Sequence, residues 1–234
     1  MMLNQELYMQ LLKQKAESEP PEAETGLALV TDPAAIAEFE RESGLTAGVL
    51  ANPPYYNICM DVYRTRNTGR CFRYCNVTYS RQGAAVLVLV RTKNEAFFLL
   101  NRQYRPFLHQ TVLEIPRGFA DPDDPDAAYT AVRELAEETG LNLFAEKEQS
   151  CCQITELGTV HPDSGLTNSA VALILAEIRT DRIPEFAVKD ENETILGHLL
   201  VTEAELSDMI ADERITDGFT LSAYAKYRAK RSCR

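Results

Sequence analysis

Glu134, Glu137 and Glu138 stand close together in the chain, directly after Arg133. On a helix turning about 100° per residue, with Arg133 at 0°, Glu137 falls at about 40°, Glu134 at about 100° and Glu138 at about 140°. Ala128, Ala131, Val132 and Leu135 fill the opposite arc, from about 160° to 260°. One face of such a helix buries, and the other carries three carboxylates. Like charges at this spacing cost roughly 0.2–0.5 kcal/mol per pair. Arg133 offsets part of that cost. A hard divalent cation would offset far more, and oxygen donors suit Mg²⁺ or Mn²⁺. The plain alternative is a solvated acidic face, and for three glutamates taken alone it is the stronger reading.

The neighbours change that balance. Gly118 lies where a strand passes through a loop into the helix, and backbone without a Cβ can come close to phosphate oxygens there. The main-chain carbonyl of Arg117 is a further oxygen donor. Asp124-Pro125 gives a helix start and Gly140 a stop.

These residues resemble the Nudix hydrolase signature: Gly, five residues, Glu, seven residues, Arg-Glu, an aliphatic, any, Glu-Glu, any, Gly, an aliphatic. Here Gly118 is followed by Arg133-Glu134-Leu135-Ala136-Glu137-Glu138-Thr139-Gly140-Leu141. The gap from Gly118 to Arg133 is one residue longer than the signature. The signature's first glutamate has no direct counterpart. Asp124 holds that offset from Gly118, Pro125 holds it from Arg133, and Asp126 is a further candidate. The resemblance implies that Glu134 and Glu138 are the principal metal ligands. It makes Glu137 a further or water-mediated one, puts the Arg117 carbonyl in the shell and has Arg133 orienting the carboxylates.

Upstream, Asn101-Arg102-Gln103-Tyr104-Arg105-Pro106 precedes Leu113-Glu114-Ile115-Pro116-Arg117-Gly118. This string resembles the ADP-ribose and nucleoside-diphosphate-sugar pyrophosphatase branch. Arginines at a strand end can grip a pyrophosphate through forked hydrogen bonds. Arg105 is the first candidate, Arg102 the second, and Glu114 joins them from the strand leading to Gly118. Further on, the stretch His161–Asn168 loosely resembles a substrate loop of that branch. The acidic stretch Lys189–Glu193 matches in position the mobile loop that delivers the general base, with Glu191 and Glu193 as candidates. The implied activity is metal-dependent hydrolysis of a pyrophosphate, ADP-ribose favoured, giving AMP and ribose 5-phosphate. GDP- or UDP-sugars, NADH and dinucleoside polyphosphates are alternative substrates. A non-catalytic ligand sensor is the alternative of another class, motivated by the altered first half of the box.

The elements that must hold these residues follow from periodicity and breakers. Residues 1–17 have helical apolar spacing, Leu27–Val30 reads as a short strand, and Asp32-Pro33 opens a helix that ends before Gly44. Strand-like runs cover Ile58–Arg64, Arg70–Tyr79, Ala84–Arg91, Ala96–Gln103, Val112–Ile115, Ile154–Val160, Ala170–Ile178 and Thr194–Val201. Helices are expected from about Pro125 to Thr139, at Glu203–Asp212 and at Leu221–Arg231. Strands and helices mix without strict alternation. That predicts an α/β/α sandwich with a mixed sheet, of Nudix type, preceded by a small N-terminal helix and strand region. The expected division is an arm at 1–54, a candidate dimerisation element, and a hydrolase domain at 55–234.

Composition bounds the rest. The 234 residues carry a net charge of −11, which repels nucleic acid phosphates. The longest apolar run, Ala84–Val90, is far too short to span a bilayer. The six cysteines form no CxxC pair and read as reduced thiols. The expectation is a cytoplasmic homodimer that takes a small nucleotide, with neither nucleic acid nor membrane as partner.

Overall fold

A computed structural model describes residues 5–18, 26–144, 151–188 and 194–232. The chain divides into two compact units, one of residues 1–80 with 163–169, the other of residues 81–162 with 170–234.

The first unit contains α1 (Gln5–Glu17), β1 (Leu27–Leu29), α2 (Pro33–Ser43), β2 (Gly48–Ala51), β3 (Tyr56–Thr65) and β4 (Cys71–Tyr79). β3 is the hub of an antiparallel sheet and pairs with β1, β2 and β4. The Asp32 carboxylate caps α2 by accepting from the N–H groups of Ala34 and Ala35, and Gly44 closes it at φ 69°. Tyr8, Leu11 and Leu12 of α1 join Ile36 and Phe39 of α2 in the core of this unit. The residues Asp163–Ser169 also belong here: the Asn168 side-chain oxygen accepts from the Tyr79 N–H at 2.7 Å.

The second unit contains β5 (Gly83–Arg91), β6 (Ala96–Arg105), β7 (Gln110–Glu114), β8 (Arg117–Phe119), α3 (Ala127–Thr139), β9 (Cys152–Val160), β10 (Val171–Arg179), β11 (Ile195–Val201), α4 (Glu203–Ala211) and α5 (Gly218–Ser232). The sheet runs β11-β6-β5-β10-β9, with β7 on β6 and β8 on β5. β5 and β10 are parallel and the other pairings antiparallel, so the sheet is mixed as expected. β5 is buried along nearly its whole length because both its faces are covered. Ala84, Val86, Val88 and Val90 take Ala131, Val132 and Leu135 of α3. Ala85, Leu87 and Leu89 face Leu206 and Met209 of α4 and Ala223, Tyr224 and Tyr227 of α5. Each fully buried leucine contributes about 1.5–3 kcal/mol. With α3 on one face of its sheet and α4 and α5 on the other, this second unit is an α/β/α sandwich. β2 and β8, with no counterpart among the expected strands, are too short to show alternation.

Candidate active site

α3 starts at Asp126, whose carboxylate accepts from the Tyr129 N–H at 2.8 Å, and ends at Gly140 with φ 77°. Because its apolar stripe is seated on β5 and β10, the rotation of the helix is fixed. The three glutamates then meet different surroundings. Glu138 is 3% exposed, the Glu134 side chain 12% and the Glu137 side chain 48%.

Glu134 lies against Gly118. A Cβ placed on Gly118 would stand 2.1–2.2 Å from the Glu134 carboxylate. Gly118 pairs with Ala84 of β5, which faces α3. Arg117 pairs with Ala85 on the opposite face, where its guanidinium stacks 4.6 Å from the Phe219 ring centroid. The Arg117 side chain is thus engaged by α5, and its main chain is the part adjoining Gly118.

Glu138 accepts a 2.6 Å hydrogen bond from the Asn101 side-chain amide, and its main-chain carbonyl lies 3.0 Å from His198 Nε2. Asn101 pairs with His198 on one side and with Glu114 on the other, so the three form one row across β11, β6 and β7. Glu114 is 2% exposed and takes Arg105 in a forked ion pair, Nε to Oε2 at 3.0 Å and Nη2 to Oε1. Burial works against the Arg105 charge. The Glu114 hydrogen bonds and the charges of Glu114, Asp217 and Glu138 outweigh it, and the guanidinium is held above its usual value. Strand alternation explains why the two candidate arginines differ. Arg105 shares the face of Asn101, whereas Arg102 is on the opposite face and exposed.

Arg133 ties the helix to the loop before it. Its guanidinium reaches Glu134 and Glu137 at 2.9 Å each, Asp124 at 3.0 Å and the Phe119 carbonyl at 2.8 Å. Asp124 also accepts from the Asp121 N–H and the Thr130 hydroxyl, at 2.9 Å each. Asp124 therefore holds Arg133, while Asp126 serves as the helix cap, which decides between the two acids offered by the altered box. Burial pushes the Asp124 carboxyl up, but these bonds outweigh it and keep it below the ordinary aspartate range.

Asn101, His198 and Thr220 were not legible as site residues. Thr220 of α5 accepts from the Ile115 N–H at 3.0 Å and so steadies the strand bearing Glu114. Its Thr-Asp-Gly-Phe-Thr surroundings were the available signal. Glu191 and Glu193 lie outside the described residues. The residues around them are anchored beside the site: the Ala187 N–H donates to the Thr139 carbonyl at 2.8 Å, and the Thr194 hydroxyl donates to the Tyr104 carbonyl at 2.8 Å.

The NUDIX domain family model matches residues 80–209. The chain belongs to the Nudix family. Among curated relatives, it is 42% identical over 62 residues to Nudix hydrolase 14, chloroplastic, of Arabidopsis thaliana, covering 26% of this chain and 20% of that protein. It is 34% identical over 100 residues to the ADP-sugar pyrophosphatase of Mus musculus, covering 42% and 41%. It is 34% identical over 93 residues to the ADP-ribose pyrophosphatase of Bacillus subtilis (strain 168), covering 40% and 45%. The chain spans less than half the length of each of these relatives. The crystal structure of an ADP compounds hydrolase has the same fold, with a TM-score of 0.58 at 19% identity, covering 79% of this chain and 91% of that one.

Nudix hydrolases use divalent metal ions as a family. Among the described residues no three His, Cys, Asp or Glu side chains converge closely enough to enclose an ion by themselves. The side chains that could serve as donors are carboxylates, Glu134 in the space that Gly118 leaves open and Glu138 buried one helical turn on. Such a partial oxygen shell fits a hard cation that retains waters and completes its shell with phosphate oxygens.

Proposed function

We propose that this Nudix chain hydrolyses the pyrophosphate bond of a nucleoside diphosphate joined to a second moiety, with ADP-ribose the favoured substrate and AMP and ribose 5-phosphate the products. The observation that carries this reading is the pair Glu134 and Glu138, turned from solvent on one helix face behind Gly118. The relatives named for ADP-sugar and ADP-ribose support the substrate class.

Glu134 and Glu138, with the Arg117 carbonyl, would hold Mg²⁺ or Mn²⁺, and Glu137 would join through water. Bound there, the cation would neutralise phosphate charge and lower the pKa of a coordinated water from its bulk value of about 15.7. Arg105 spends Nε and Nη2 on Glu114 and presents Nη1 to a phosphate oxygen. Glu114 and Gly118 shape that contact, and Arg102 serves the outer part of the substrate. Glu191 or Glu193 takes the proton of the attacking water, from a stretch whose flanks are tied to Thr139 and Tyr104. The Asp124 grip on Arg133 supplies the support that the altered box lacks, which favours catalysis over a sensor. We further propose a cytoplasmic homodimer with no nucleic acid or membrane partner. Exposed Leu45, Leu50 and Tyr55 of the first unit are the apolar side chains that a second copy would cover. Among the described residues no helix is long and apolar enough to cross a membrane.

The test is hydrolysis of ADP-ribose, ADP-glucose, a GDP-sugar, a UDP-sugar, NADH and a dinucleoside polyphosphate, with Mg²⁺ and with EDTA. AMP release from ADP-ribose, dependent on Mg²⁺ and lost in Glu138→Gln, is expected. Equal rates for the wild type and Glu138→Gln would refute the metal assignment.

A further inference from the structure

Glu138 is a carboxylate at 3% exposure, and Asn101 beside it is fully buried. An ionised carboxylate only accepts hydrogen bonds, so the Asn101 atom facing it must be the amide nitrogen. The 2.6 Å contact is that bond. Asn101 sits between His198 and Glu114 in the row across β11, β6 and β7. His198 meets the Glu138 carbonyl at 3.0 Å. Glu138 is therefore held at both its main-chain and side-chain oxygens by neighbouring strands of the same sheet. The Asn101 Oδ1 is buried and has no hydrogen-bond partner among the described residues. A leucine of similar size would avoid that cost in an apolar core. The amide is better explained by the charge beside it than by packing.

We propose that Asn101 is a positioning residue for the cation: it fixes the rotamer of Glu138 so that the remaining oxygen is presented toward Glu134. Residues that hold a metal ligand from behind set metal affinity, and their loss costs about 10–100-fold. This inference rests on the functional reading above, in which Glu138 binds the cation.

The experiment measures Mn²⁺ binding to the full chain without substrate, by electron paramagnetic resonance and calorimetry. It compares the wild type with Asn101→Leu and Asn101→Ser, and follows thermal unfolding in EDTA alongside. The leucine variant keeps the volume and removes the donor. The serine variant keeps a hydroxyl too short to reach Glu138 and decides the matter if the leucine variant does not fold. Weakening of Mn²⁺ affinity by about 10–100-fold in a folded variant is expected. Excess Mg²⁺ should then restore most of the hydrolysis rate, a rescue that a merely structural defect would not show. Affinity within twofold of wild type in a folded variant overturns the proposal. Wild-type Mn²⁺ binding without hydrolysis of any nucleotide would sink the functional reading instead, because the affinity comparison needs no substrate.

Discussion

Gly118 and Glu134 are pressed together across the gap between β8 and α3: the position a Gly118 Cβ would take lies 2.1 Å from the Glu134 carboxyl carbon. That separation is far inside van der Waals contact, so Gly118→Ala must move either the strand or the glutamate. The strand is paired to β5, and the glutamate is the softer partner. Gly118→Ala should fold, bind Mn²⁺ more weakly and lose activity by about tenfold or more. Unchanged kinetics and Mn²⁺ affinity would show that Glu134 need not occupy this seat.

The three glutamates should rank by their surroundings. Glu138→Gln and Glu134→Gln remove charges shielded from water, and falls in kcat on the order of 100–1,000-fold are expected. Glu137 is half-exposed and paired with Arg133, and its replacement by Gln should cost about tenfold or less. Steady-state assay of the three variants at saturating Mg²⁺ gives the order, and Glu137→Gln as the most damaged would reverse the assignment.

Asp124 and Asp126 should separate by pH. The Asp124 carboxyl is held below its ordinary value of 3.8 in the folded chain. A lowered folded value means that the ionised form stabilises the fold fully above the ordinary value, and that this stability is lost as pH falls through the folded one. Asp124→Asn should cost about 1–3 kcal/mol at neutral pH. Its melting temperature should approach that of the wild type as the pH drops from 7 toward about 3. Asp126→Ala should cost about 0.5–2 kcal/mol through the lost cap. A gap between the wild type and Asp124→Asn that stays constant down to acid would contradict the ion pair.

Thiol reactivity should follow burial. Burial, with a smaller push from Cys151, raises the Cys152 thiol to about 11. Burial also raises Cys59, against the opposing charge of Lys15. Little thiolate exists at either position near pH 8, whereas Cys75 is exposed. Iodoacetamide labelling followed by peptide mass mapping should find Cys75 alkylated ahead of Cys59 and Cys152. Labelling of Cys152 at the same rate would show that the β9 edge opens.

The second unit was largely legible because its elements have strong local signals. The all-buried run of β5, the stripe of α3 and its Gly140 stop each express one period or one terminator. The site was legible where residues adjoin in the chain, as with Arg133, Glu134 and Glu138. It was illegible where strand pairing does the assembling. Asn101 reaches Glu138 only because β6 lies beside β5, on which α3 is seated, and Thr220 reaches Ile115 only because α5 covers the other face. No spacing rule in one dimension reports such meetings. The choice of Asp124 over Asp126 was hidden in the same way, because it depends on how the loop from Ala120 folds back onto Arg133. The residues 163–169 look like an ordinary loop between strands, yet they belong to the first unit.

The parallel pairing of β5 with β10 sets residue 83 opposite residue 171, with the whole acidic box between them in the chain. Closing so long a loop is slow. Until β10 arrives, Ala131, Val132 and Leu135 lack the part of their floor that Ile174, Ala176 and Ile178 supply. A chain emerging from the ribosome therefore carries its complete acidic box for some time with part of the apolar stripe of α3 uncovered. During that interval the carboxylates of the box stand on a helix whose rotation is not yet fixed, and only the finished sheet sets where they point.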